Sequence, residues 1–238
     1  VSNAIDMAVD TIKYLKPKDK KVFFDAEHFF DGYKEDPKTS LLILDAVINS
    51  GSDCFIFCDT NGGTLPDEVN NILSEVLKKY PETKFGVHFQ NDNGCAVANS
   101  MVAVDLGVDH VQGTINGYGE RTGNADLCTL IPNLSLKKTY ETISKDSLSK
   151  LTQIANHIAE LVNVSIDSRH PYVGSSAFTH KAGLHASGMA KDNILYEHID
   201  SSKVGNYTRT TVSELAGRAS VITKAQEFGL DLNNVEAK

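Results

Sequence analysis

Apolar positions along this chain fall into two alternating rhythms. Residues 2–15 carry Ile5, Val9, Ile12 and Leu15 on one helical stripe, and Lys16-Pro17 ends it. KVFFDAEHFF (21–30) is a compact apolar strand that finishes in Asp25, Glu27 and His28. Asp36-Pro37 is a turn, and residues 39–50 return to helical periodicity until Gly51 stops them. DCFIFCDTNGG (53–63) is the next strand, followed by a helix that starts at Thr64-Leu65-Pro66-Asp67 and runs to about Tyr80. KFGVHFQND (84–92) is the third strand, and residues 95–106 form a helix ended by Gly107. HVQGTINGYGERTGN (110–124) is a fourth strand running into a glycine-rich polar loop.

Strand followed by helix, repeated, is the signature of parallel βα units. Such folds keep their active sites at the carboxyl ends of the strands. Four consecutive strands here end in polar clusters: Asp25/Glu27/His28, Asp59/Thr60/Asn61, His88/Gln90/Asn91/Asp92, and Asn116/Glu120/Arg121/Asn124. Four clusters in phase predict one shared site on the rim of a barrel. A full (β/α)8 barrel needs about 250 residues, whereas the barrel-like pattern occupies only residues 1–134. The expected fold is therefore α/β, the C-terminal half of a TIM barrel, holding about strands 5 to 8 and lacking the first half. A small mixed and helical linker subdomain is expected over 135–238, opening with a helix over 146–163 and followed by a glycine-rich segment dotted with His.

Composition narrows the function classes. A formal net charge of −8 argues against a nucleic-acid backbone or an anionic membrane surface as partner. No apolar run approaches the roughly 20 residues of a membrane span. The four cysteines (Cys54, Cys58, Cys95, Cys128) form no CxxC pair and read as reduced thiols of a cytoplasmic protein. On KFGVHFQNDNG, His88 and Gln90 lie two apart and so share one face of their strand, as a pair of ligands to a metal or a polar substrate would. A polar loop after a buried strand is the alternative.

The stretches AEHFFDGYK (26–34), CDTNGGTLP (58–66), VQGTINGYGERTGN (111–124), PYVGSSAFTHKAGLH (171–185) and SELAGR (213–218) resemble the citramalate synthase branch of the isopropylmalate/homocitrate synthase family. The resemblance runs over most of residues 1–230. It implies metal-dependent acyl transfer on a TIM barrel: Claisen-type condensation of acetyl-CoA with a small 2-oxo acid, pyruvate in this branch, then thioester hydrolysis. It also implies a divalent cation (Mg²⁺, Mn²⁺ or Zn²⁺) and a homodimer in the full-length protein.

Position by position, the resemblance sets His88 and Gln90 at the family's His-x-His metal ligands and Asn124 at or near the metal. A further carboxylate ligand belongs to a first-strand Asp-Arg-Glu-type motif that this chain does not contain. Thr60 matches the threonine that bonds the 2-oxo acid carboxylate, with Asn61 and Arg121 as further substrate-binding candidates. Glu27 matches a carboxylate that handles acetyl-CoA. His185 and Tyr196 match a His and a Tyr that reach an active site, commonly the partner subunit's, and Glu120 is a further catalytic candidate. Glu120 and Arg121 read equally as a structural ion pair at the rim, and His180 as a site residue or a local hydrogen bond. His28 and His110 read as structural and His157 as solvated.

Gln90 departs from the family pattern, since an amide oxygen is a harder and weaker ligand than imidazole. Three readings follow: a shift to an oxygen-preferring ion, a weakened metal site, or a non-catalytic relative. Isopropylmalate or homocitrate synthase activity is the alternative within the class. Lacking a ligand and half the barrel wall, the chain alone is expected to be inactive.

Overall fold

The computed structural model describes residues 2–180, 195–210, 221–222, 225 and 228–231. The chain forms two compact units, Val1–Leu130 and Ile131–Lys238.

The first unit is built on four parallel strands in sequence order: β1 (Phe23–Ala26), β2 (Cys54–Asp59), β3 (Phe85–Phe89) and β4 (His110–Gln112). Helices α1 (Ser2–Leu15), α2 (Phe29–Glu35), α3 (Pro37–Asn49), α4 (Pro66–Lys79) and α5 (Ala96–Asp105) surround them. Every residue of β2 is buried, as expected of a central parallel strand covered on both faces. Phe55 and Phe57 of β2, Phe85, Val87 and Phe89 of β3 and Phe29 and Phe30 of α2 meet in one aromatic-rich core, completed by Leu44, Val69, Leu73 and Val76. Cys54, Ile56 and Cys58 alternate with those residues and form a separate buried cluster on the opposite face.

That opposite face is concave. Phe23 on β1 and His110 on β4, the two edge strands, meet edge to face with ring centroids 5.3 Å apart. Asp25 on β1 likewise contacts Gln112 on β4. The sheet thus curls until its edges approach over β2, which accounts for the burial of Ile56. The parallel order, the enclosing helices and the curl are those of part of a (β/α)8 barrel, matching the expected fold class.

Two local features differ from expectation. Helix α2 was not legible as a helix. His28 opens it in the left-handed conformation (φ 58°), so the chain turns from strand to helix within two residues. The helix expected over 146–163 is instead two: α7 (Lys145–Leu148), capped by Ser144, and α8 (Leu151–Val162), closed by left-handed Asn163. Ser149 and Lys150 make the break.

In the second unit α6 (Leu127–Pro132), which begins in the first, passes into a π-helical turn over Asn133–Lys137. Leu148, Leu151, Ala155, Ala159, Tyr172, Val173, Phe178 and Val204 are buried there. Two short strands, β5 (Thr179–His180) and β6 (Arg209–Thr210), pair in parallel. Asn206 ties the segment together by donating to the carbonyls of Tyr172 and Gly174.

Candidate active site

Side chains at the carboxyl ends of the four strands are held in two hydrogen-bonded groups, one around Thr60 and one around His88. After β1, the Thr60 hydroxyl donates to Glu27 Oε2 at 2.6 Å and accepts from the His28 amide at 2.7 Å. One hydroxyl from the β2 end thus orients a carboxylate from the β1 end. Asn61 Nδ2 donates to Asp31 Oδ2 on α2 at 2.7 Å, so that amide group steadies the helix beside the site. Buried Asp59 is held by the backbone amide and hydroxyl of Thr64 and stiffens the turn that carries Thr60 and Asn61. Burial pushes its carboxyl above the ordinary value, against the lowering from those two hydrogen bonds.

At β3 the parallel register sets His88 beside Gln112 of β4. His88 Nδ1 lies 2.8 Å from Gln112 Oε1, and Gln112 Nε2 donates to Asp25 at 3.1 Å. Gln90, just past β3, bridges in antiparallel fashion to Asn124. Asn124 Nδ2 donates to the Tyr118 carbonyl at 3.0 Å, which fixes the direction of its amide. Gln90 Oε1 and Asn124 Oδ1 are both buried and have no hydrogen-bond partner.

Leaving a buried acceptor unmade costs about 1–3 kcal/mol. Two such oxygens on paired segments are open to a hydrogen-bond donor, a water or a cation. Among the described residues no three His, Cys, Asp or Glu side chains converge as metal ligands, so a cation held here depends on these amide oxygens. The thiols do not help: burial pushes Cys54 up to about 11 and Cys58 higher still, so neither offers a thiolate near neutral pH.

The loop after β4 is shaped by glycines. Gly123 sits at φ 89°, where an added Cβ would fall on the Gly117 carbonyl, and a Cβ on Gly119 would fall on the Asn124 side-chain nitrogen. Only glycine lets the loop close around Asn124. Arg121 then straps it down: Nε and Nη2 clamp Asp92 at 2.8 and 2.9 Å, and Nη2 also reaches the Thr60 carbonyl at 2.8 Å. That guanidinium holds the Asp92 carboxyl below its usual range. Glu120 stands 86% exposed, 3.9 Å from Arg121 Nη1.

Of the residues singled out from sequence, Glu27 joins Thr60, Gln90 joins Asn124, and Arg121 reaches over to Thr60. His88 is half-buried and joined to Gln112. Tyr196 belongs to the second unit, is 39% exposed there and is followed by buried Glu197. His180 Nε2 lies 3.3 Å from Glu197 Oε1. His185 and the SELAGR motif lie outside the described residues. Gln112 and Asp92 carry more of the geometry than their sequence contexts disclosed. Gln112 carried no such signal, while Asp92 stood in the polar cluster after β3.

The HMGL-like family model matches residues 1–158, and the "homocitrate synthase post-HMGL domain-like" model matches residues 172–238. The chain is 48% identical to an (R)-citramalate synthase of Aquifex aeolicus over 96% of its own length and 43% of that protein's. It is 32% identical to a 2-isopropylmalate synthase of Halalkalibacterium halodurans over 97% of its own length and 46% of that protein's. The chain thus spans less than half the length of the curated relatives it matches. An HMG-CoA lyase of Bacillus subtilis superposes with a TM-score of 0.60 at 21% identity, over 71% of this chain and 59% of that one, which speaks for the barrel fold. The chain belongs to the HMGL-like family.

Proposed function

We propose that this chain forms part of a metal-dependent acyltransferase that condenses acetyl-CoA with pyruvate to give citramalate. The observation that carries the site is the pair of buried, unpartnered oxygens, Gln90 Oε1 and Asn124 Oδ1, at the end of the strand that carries His88. The identity to an (R)-citramalate synthase, higher than to a 2-isopropylmalate synthase, supports pyruvate over a larger 2-oxo acid.

A divalent cation held by His88, Gln90 and Asn124 would polarise the keto carbonyl as a Lewis acid. The two amide oxygens suit Mg²⁺ or Mn²⁺, while the imidazole also suits Zn²⁺. Thr60 has one hydroxyl proton, spent on Glu27. Turning that proton to the 2-oxo acid carboxylate would bind substrate and leave Glu27 free to accept a proton. Glu27 is the base that takes a proton from the acetyl methyl group. The methyl carbon then bonds to the keto carbon, whose oxygen takes up a proton. Water attacks the thioester carbonyl, and the CoA thiolate leaves. His185 and Tyr196, supplied by the partner in a homodimer, are the second acid–base pair, with Glu120 at the rim. Arg121 and Asn61 set the loop positions around the substrate. The acidic charge and unpaired cysteines fit a cytoplasmic enzyme. Among the described residues no helix is long and apolar enough to cross a membrane.

The test is a chimera in which this chain replaces its matching segment in the Aquifex aeolicus relative. Pyruvate-dependent release of free thiol from acetyl-CoA, abolished by His88→Ala, is expected. Turnover only with a larger, branched 2-oxo acid would reassign the substrate. No turnover with any 2-oxo acid, while the parent enzyme is active, would favour a non-catalytic relative.

A further inference from the structure

We propose that Gln112, itself held by Asp25, locks His88 in the tautomer with its proton on Nδ1 and so presents Nε2 as the donor atom of the site. The proposal rests on the metal reading above for its purpose, but its geometry is independent of that reading.

The argument is one of hydrogen-bond direction. A carboxylate oxygen only accepts, so the Gln112 group facing Asp25 must be its NH₂, at 3.1 and 3.4 Å from the two oxygens. The amide cannot be turned over without setting its oxygen against the carboxylate. Gln112 Oε1 therefore faces His88 Nδ1 at 2.8 Å, and an amide oxygen also only accepts. The proton between them must sit on Nδ1, and the Nε2 lone pair is left free. The partner on one ring nitrogen decides what the other can do, as at metal-bound histidines generally.

The placement is built rather than incidental. His88 and Gln112 are register partners on adjacent parallel strands, so their side chains leave the sheet on the same face. Asp25 lies 87 residues from Gln112 in sequence and on the opposite edge strand. It reaches Gln112 only because the sheet curls, and Phe23 against His110 holds that curl one pleat below. Asp25 and Gln112 are thus positioning residues: they act on the site through His88.

The experiment reads the tautomer directly, on the chain itself. Long-range ¹H–¹⁵N correlation spectra of ¹⁵N-histidine-labelled protein, at a pH of about 8 where imidazole is neutral, report which His88 nitrogen carries the proton. The His88→Asn variant assigns the signal. Wild type is expected to show the Nδ1–H form. Gln112→Ala should revert to the mixture of a free imidazole, and Gln112→Glu combined with Asp25→Asn, which swaps donor and acceptor across that contact and keeps an acceptor on His88, should restore Nδ1–H. Asp25→Asn, which no longer dictates the amide direction, should give a mixture. Titration of the chimera described above with Mn²⁺ should show affinity falling about 10- to 100-fold in Gln112→Ala, the usual cost of losing a ligand's supporting hydrogen bond. An Nε2–H form in the wild type, or a tautomer indifferent to Gln112→Ala, overturns the proposal. An Nδ1–H form that follows Gln112, with no Mn²⁺ bound by the chimera, upholds it and overturns the metal reading instead.

Discussion

Gln90 is the residue on which the proposed metal site turns. The family resemblance expects imidazole there, and the chain supplies an amide whose oxygen is buried without a partner. Across the bridge, Asn124 supplies a second such oxygen, with its nitrogen already spent on the Tyr118 carbonyl. Two neutral hard oxygens and one imidazole favour small hard cations, and imidazole in place of one oxygen would favour zinc. Gln90→His is therefore expected to raise Zn²⁺ affinity by at least about tenfold, or ~1.4 kcal/mol, with Mg²⁺ affinity unchanged or reduced. Calorimetric titration of both proteins with each ion checks it. Equal changes for the two ions would remove Gln90 from the metal shell. The Gln substitution was legible in the sequence because the motif around it is long. That its oxygen is left unpaired was not, since that depends on the loop after β4 closing over it.

At the scale of elements, capping and strand ends decide where the site can form. Helix α3 starts at Pro37, and Asp36 Oδ1 accepts from the amides of Lys38 and Thr39 at 3.1 and 3.2 Å. Those amides have no partner inside the helix. Asp36→Ala should lower the unfolding free energy, seen as a lower urea midpoint with unchanged slope. A midpoint within error of wild type would show that the cap is dispensable. Parallel strands β2 and β3 announced themselves as short apolar runs between turn residues. Helix α2 did not, because Phe29, Phe30 and Tyr33 continue the apolar run of β1 and seven residues are too few to reveal a period. The break between α7 and α8 was hidden for the opposite reason: Leu148 and Leu151 keep helical spacing across it, and nothing in Ser149-Lys150 forbids a helix. Gln112 is not legible from sequence because a lone amide in HVQG carries no local signal. Its role comes from register with His88 and from the approach of the two edge strands.

For the molecule as a whole, charge and burial pull stability in opposite directions as pH changes. Asp36, Asp53 and Asp92 have carboxyls held below the ordinary value, mainly by hydrogen bonds from Thr39, Lys16 and Arg121. A group with a depressed folded-state pKa stabilises the fold above its unfolded pKa, and this is lost as pH falls through the folded one. These three thus weaken the protein below about pH 4. Asp59 behaves inversely. Its pKa is raised by burial, so its destabilising charge develops as pH climbs from about 4, and partial protonation relieves it on the way down. The net charge of −8 at pH 7 adds self-repulsion that also eases on mild acidification. The melting temperature should therefore rise on mild acidification from pH 7 and collapse below about pH 4. Asp59→Asn removes the buried charge while keeping one oxygen for Thr64, so it should flatten that rise and leave the acid limb in place. Thermal melts of both proteins over that range decide the matter. A wild-type melting temperature that falls steadily from pH 7, or an undiminished rise in the variant, would show that the Asp59 charge is not what the neutral-pH fold has to overcome.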